Sequence, residues 1–158
     1  LLVPTLNNGL NYFILVYNNP ITKNRRYNMN TFIQNDGGYA LTNFKKRKIG
    51  NCVPRAIAIA LEKSYLDVWN ELMDLAKENG LFPNTERCYS YYLLKYGWHK
   101  QKPQRTANGK MRKLKYFNSK NISAIVHTRK HLVCVKNGKI LDIWNPSTYK
   151  AGSYWIKI

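Results

Sequence analysis

Apolar side chains occupy nearly every position from Cys52 to Leu61, and Val53, Ala56, Ile57, Ala60 and Leu61 recur at helical spacing. Asn51 reads as the N-cap of this helix, and Pro54 falls in its first turn, where a missing N–H costs nothing. The small alanines permit close packing, so this helix is expected to be central and buried. Ser64 opens a second helix, with Asp67 completing a capping-box variant; Leu66, Trp69, Leu72, Met73 and Ala76 form its expected apolar stripe, and Gly80 ends it. A third helix runs from Thr85 to Tyr96 and stops at Gly97. Its Tyr89, Tyr91, Tyr92 and Tyr96 lie at helical spacing, which favours core and rim packing over base stacking.

The period then changes. Ile122 to Val126, His131 to Val135, Ile140 to Trp144 and Ser153 to Ile158 read as strands, and Asn137-Gly138 between two β-branched runs is a strong hairpin signal. Residues 100–120 are the least regular part, with Leu114 and Phe117 anchoring one short helical turn; Asp36-Gly37-Gly38 marks an earlier turn. Helices first and strands second predict an α+β fold, with N-terminal helices packed on a C-terminal antiparallel sheet. No internal repeat or linker divides residues 29–158, which are expected to form one domain.

Composition changes this picture in one respect. Twenty-six Lys and Arg against eight Asp and Glu give 158 residues a formal charge of +18. Such a bias favours polyanions: nucleic acid, anionic envelope polymers or the interior of a virion. Lys45, Lys46, Arg47 and Lys48, together with Lys110, Arg112, Lys113 and Lys115, are the residues expected to meet them. The abundant Asn, Lys, Tyr and Ile also fit an AT-rich genome, which raises Lys without a functional gain. Cys52, Cys88 and Cys134 are too few and too scattered for a disulfide framework, so a reducing compartment is expected. His99, His127 and His131 form no recognisable ligand set with them, and neither metal nor cofactor is expected. No apolar run reaches the roughly 18 residues needed to span a bilayer.

Residues 1–22 carry no charge, and Lys23-Asn24-Arg25-Arg26 precedes Met29. Two arginines encoded AGG-AGG, two codons before an ATG, would be a bacterial ribosome-binding sequence. Residues 1–28 are therefore expected to be a non-native leader or a disordered segment, with a signal peptide and a propeptide strand as rival readings. Without them, 23 basic and eight acidic residues still leave +15.

The chemistry centres on Cys52. A thiol is a poor nucleophile until ionised, and a helix N-terminus helps by presenting free N–H groups and positive dipole. An imidazole completes the activation, and a carboxylate or amide behind it fixes its orientation. His131, about eighty positions later on a strand, follows the order used by papain-like enzymes. If Asn137 and Gly138 form a two-residue turn, His131 faces Trp144 and lies diagonal to Asp142. A bulged three-residue turn would oppose His131 with Asn145 instead, so Asn145 is the alternative orienter. Cys88 and Cys134 are expected to be structural, because Cys134 alternates away from His131 and neither begins a helix.

GNCVPRAIAIALEKSYLDVWNEL, HLVCVKNGKILDIWNPS and the closing YWIKI resemble a family of small papain-like proteins common in phages and their bacterial hosts. More distantly they are similar to peptidase domains that trim bacteriocin leaders. The resemblance covers roughly residues 50–158. It implies a nucleophile at Cys52, a base at His131 and an orienting acid at Asp142 within D-x-W. Papain-like enzymes place an oxyanion-stabilising Gln six residues before the cysteine; here that position is Lys46, and Asn51 with the Cys52 N–H are the substitutes. The expected function is a cysteine hydrolase, peptidase or amidase, on a peptide or amide substrate, in a bacterial cytoplasm or a virion. The alternative is a catalytically idle basic protein of that fold which binds nucleic acid or a virion surface.

Overall fold

The computed structural model describes residues 29–44 and 50–158, and the expectations for residues 1–28 and for Lys45, Lys46, Arg47 and Lys48 lie outside them. Among the described residues are three helices, α1 (Cys52–Leu61), α2 (Tyr65–Glu78) and α3 (Glu86–Lys95), and one six-stranded sheet. The strands are β1 (Thr31–Gln34), β2 (Trp98–Gln101), β3 (Ser123–Thr128), β4 (His131–Lys136), β5 (Lys139–Asp142) and β6 (Tyr154–Lys157). Short 3-10 turns cover Tyr39–Leu41 and Leu114–Tyr116.

The class is α+β, but the sheet is mixed and not purely antiparallel. Its order is β1-β5-β4-β3-β6-β2; β1 runs parallel to β5, and the other neighbours are antiparallel. The two strands without a sequence signal, TFIQ and WHKQ, are the edges. Most of their side chains are exposed, so neither needs the apolar alternation that betrays an inner strand.

Helix α1 is buried nearly all round, as its composition requires, including Arg55 at 4% exposure. It ends where Glu62 turns left-handed at φ 55° and Lys63 N–H reaches the Ala58 carbonyl at 3.1 Å. Ser64 and Thr85 cap α2 and α3 as expected, accepting from the N–H groups of Asp67 and Cys88. The face of α2, however, is rotated from the expected stripe. Tyr65, Val68, Leu72, Leu75 and Ala76 are buried, whereas Leu66 and Met73 are exposed. Two interleaved apolar rows satisfy the helical period here. Tyr65, seated edge-on against Tyr39 at 5.1 Å and Phe44 at 6.2 Å, belongs to the row that turns inwards.

Both faces of the sheet are covered. Ile125, Leu132, Cys134 and Trp155 join the helices in one core; Ala124, Val126, Val133, Val135 and Ile140 join Leu114, Phe117 and Ala151 in the other. The basic segment therefore lies over the sheet and is no free loop. Buried Asn30 fastens it, donating Nδ2 to the carbonyls of Leu114 at 2.7 Å and Phe117 at 2.8 Å. Ser119 Oγ donates to Asn30 Oδ1 at 2.7 Å.

Candidate functional site

The hairpin register assembles half of the site. Asn137 and Gly138, at φ 49° and 76°, form the two-residue turn, and Lys136 pairs with Lys139, Val135 with Ile140 and Cys134 with Leu141. The register puts His131, first in β4, beside Asp142, last in β5. His131 Nε2 is hydrogen-bonded to Asp142 Oδ2, and its ring packs 5.0 Å from that of Trp144. The bulged register is absent. Asn145 turns away, its Oδ1 accepting from Ser147 N–H at 3.0 Å.

Helix α1 brings the other half. Cys52 is its first residue, partly exposed, and its thiol lies within reach of the His131 side chain and the Leu132 backbone, both of which favour its ionised form. Since Asp142 occupies Nε2, Nδ1 is the ring nitrogen left for the sulfur. Burial alone would raise the thiol pKa. The His131 and Leu132 hydrogen bonds and the charges of His131 and Arg55 outweigh it, and the pKa is lowered. Burial alone would likewise lower the His131 pKa, but Asp142 and Cys52 raise it to about 9. The opposed shifts move the pair towards a thiolate beside an imidazolium.

Arg55 is the member that sequence reading missed. One turn into α1, its Nη2 donates to Asp142 Oδ1 at 3.1 Å, and its Nη1 donates to Asn51 Oδ1. Asn51 is thus the N-cap residue by position only, because its side chain makes no capping hydrogen bond. Asp142 Oδ1 also accepts from Ile143 N–H at 2.8 Å, so both carboxylate oxygens are held. A signal did exist: Arg55 is the one charged side chain in a ten-residue helix otherwise apolar throughout, four residues after Asn51. Two further phenols feel the site. Tyr65, buried and without a hydrogen-bond partner at its hydroxyl, has its pKa raised to about 12, by burial first and then by Tyr39 and Cys52 against Arg55. Tyr89 is raised further, by burial and then by Glu86 and Cys52.

The remaining candidates stand apart. Cys88 and Cys134 are fully buried, and burial pushes both thiols up, Cys134 to about 12. Cys88 lies in the first turn of α3 without beginning it, and burial is the one cause of its shift. Lys110 and Lys113 are exposed, while Arg112 and Lys115 are half-buried. Among the described residues no helix is long and apolar enough to cross a membrane. Compared with family models, curated proteins and solved structures, the chain matches none.

Proposed function

We propose that the protein is a papain-like cysteine hydrolase, a peptidase or amidase that works through an acyl-enzyme on Cys52. The observation that carries this reading is the relay itself: a partly exposed thiol at a helix start, next to an imidazole whose far nitrogen is held by a buried carboxylate. In this reading the Cys52 thiolate attacks the amide carbonyl carbon, and the carbonyl π electrons move onto oxygen. The tetrahedral intermediate collapses, the C–N bond breaks, and the leaving amine takes the proton from His131 Nδ1. The neutral imidazole then removes a proton from water, which attacks the thioester and releases the acid and the thiolate. Asp142 keeps the proton on Nε2 and steadies the imidazolium. The setting proposed for this activity is a bacterial cytoplasm or a virion.

The test uses p-nitrophenyl acetate as an acyl donor. The expected result is an acetyl group on Cys52, found by mass spectrometry and absent from Cys52→Ala. Equal acetylation and equal nitrophenol release by the two proteins would overturn the proposal.

A second reading concerns a partner. From Arg87 to Ile158 the chain carries sixteen Lys and Arg but one carboxylate side chain, Asp142, which is buried in the site. Exposed Lys113 and Lys150 sit opposite each other in an antiparallel bridge, where like charges repel. An anion there would relieve the repulsion. We propose a polyanion, nucleic acid or virion surface, on this side of the molecule.

A further inference from the structure

We infer that Arg55 is a positioning residue, tying Asn51 to Asp142 so that an oxyanion donor and the histidine orienter are set by one guanidinium. This deepens the hydrolase reading and rests on it.

The argument is geometric. Asn51, Cys52 and Arg55 belong to the start of α1, His131 begins β4 and Asp142 ends β5. Their contacts form a closed ring: Asn51 to Arg55, Arg55 to Asp142, Asp142 to His131, His131 to Cys52, and the peptide bond from Cys52 back to Asn51. A guanidinium presents donors in a fixed fork, so holding both acceptors at once fixes their relative placement. The consequence for Asn51 is specific. An amide can be turned either way, but with Oδ1 accepting from Arg55 its NH2 must be the end left over. That NH2 engages no other described group, and Asn51 directly precedes Cys52, so we assign it as the donor that meets the oxyanion. The consequence for Asp142 is charge. Thiolate, imidazolium and carboxylate together carry one net negative charge in a site where Asp142 is 3% and Arg55 is 4% exposed. Arg55 brings the sum to zero, and its charge also helps to lower the Cys52 pKa.

Three variants test this: Arg55→Lys, Arg55→Met and Asn51→Ala, the last removing no helix cap. Two readouts that need no natural substrate are used, the pH profile of iodoacetamide alkylation at Cys52 and the rate of acetylation by p-nitrophenyl acetate. Asn51→Ala is expected to slow acetylation about 10²-fold, the size of one missing oxyanion donor, with little change in the alkylation profile. Arg55→Lys restores the charge but reaches one acceptor only. It should keep the alkylation profile yet lose acetylation as Asn51→Ala does. Arg55→Met should lose both, and adding Asn51→Ala to either Arg55 variant should cost little more. If Arg55→Met does not fold, Arg55→Lys with its double variant reads the same coupling. The inference is overturned if Arg55→Lys acetylates at the wild-type rate, or if the Asn51 and Arg55 losses simply multiply. Failure of the hydrolase reading looks different: the wild type itself would not acetylate at Cys52.

Discussion

Replacing Asp142 by Asn removes one charge while leaving the shape of the site. Asn can still offer an oxygen to Arg55 Nη2 and to Ile143 N–H, so the substitution isolates the bond to His131. The rise of the His131 pKa from 6.5 to about 9 corresponds to about 3 kcal/mol of preference for the charged ring, at about 1.4 kcal/mol per tenfold. Burial opposes that rise, so Asp142 and Cys52 together supply more than this net figure. With the carboxylate gone, the His131 pKa should fall to about 6.5 or below. The amide NH2 would also donate to Nε2, placing the ring proton on Nδ1 in the neutral tautomer, where the ring cannot accept the thiol proton. Loss of the charge alone predicts about 10²-fold slower acetylation, and loss of tautomer control up to about 10⁴-fold. The assay is acetylation of Cys52 from pH 6 to 10, beside the His131 ring titration followed by NMR. Wild type should lose activity as the pH rises through about 9; the variant should show no such limb. A variant that retains the limb and acetylates within a few-fold of wild type would refute the reasoning. Asp142→Ala is the less informative change, because it strands Arg55 as a buried unpaired charge at a cost of about 3–5 kcal/mol.

Iodoacetamide near neutral pH should modify Cys52 long before Cys88 or Cys134, as peptide mapping will read; equal labelling would mean that the thiol is not activated. The His131 contribution to stability is fully present below its unfolded pKa of 6.5 and lost as pH rises through about 9, so urea midpoints should fall across that window in wild type and less in His131→Gln. Gly37→Ala should destabilise by about 1–3 kcal/mol, measured by thermal unfolding, because φ is +66° there and a Cβ would meet the Arg55 carbonyl at 2.9 Å. Neutralising Lys110, Lys113 and Lys115 should flatten the salt dependence of nucleic-acid binding by about 0.9 for each phosphate no longer neutralised, while sparing acetylation; an unchanged slope would remove that surface from the polyanion reading.

The parts legible in the sequence are those with a local cause. Asn137-Gly138 dictates the hairpin register, the register brings His131 to Asp142, and an apolar run led by Cys52 makes a buried helix. Leu114 and Phe117 stand out as anchors because they are the large apolar residues in a polar stretch, and both are buried. What is not legible depends on partners distant in sequence. Nothing in TFIQ announces a parallel edge strand, since its pairing is set by β5, more than a hundred residues on. The inward row of α2 depends on Tyr39 and Phe44, which belong to another segment. Arg55 stands out in its apolar helix, but its partner lies far along the chain, and only the carboxylate at the end of β5 makes its burial tolerable.

The pairing of β1 with β5 has a consequence for when this site comes into being. Gln34 lies opposite Asp142, and Asn35 N–H donates to the Asp142 carbonyl at 2.8 Å, so a segment translated near the start of the described chain holds the backbone of a residue translated far later. Contacts this distant in sequence form slowly, after most of the intervening loop has been closed. The helix bearing Cys52 emerges with neither imidazole nor carboxylate to activate it. If Cys52 is the nucleophile we propose, a nascent chain carries it unactivated until β4 and β5 have docked beside β1.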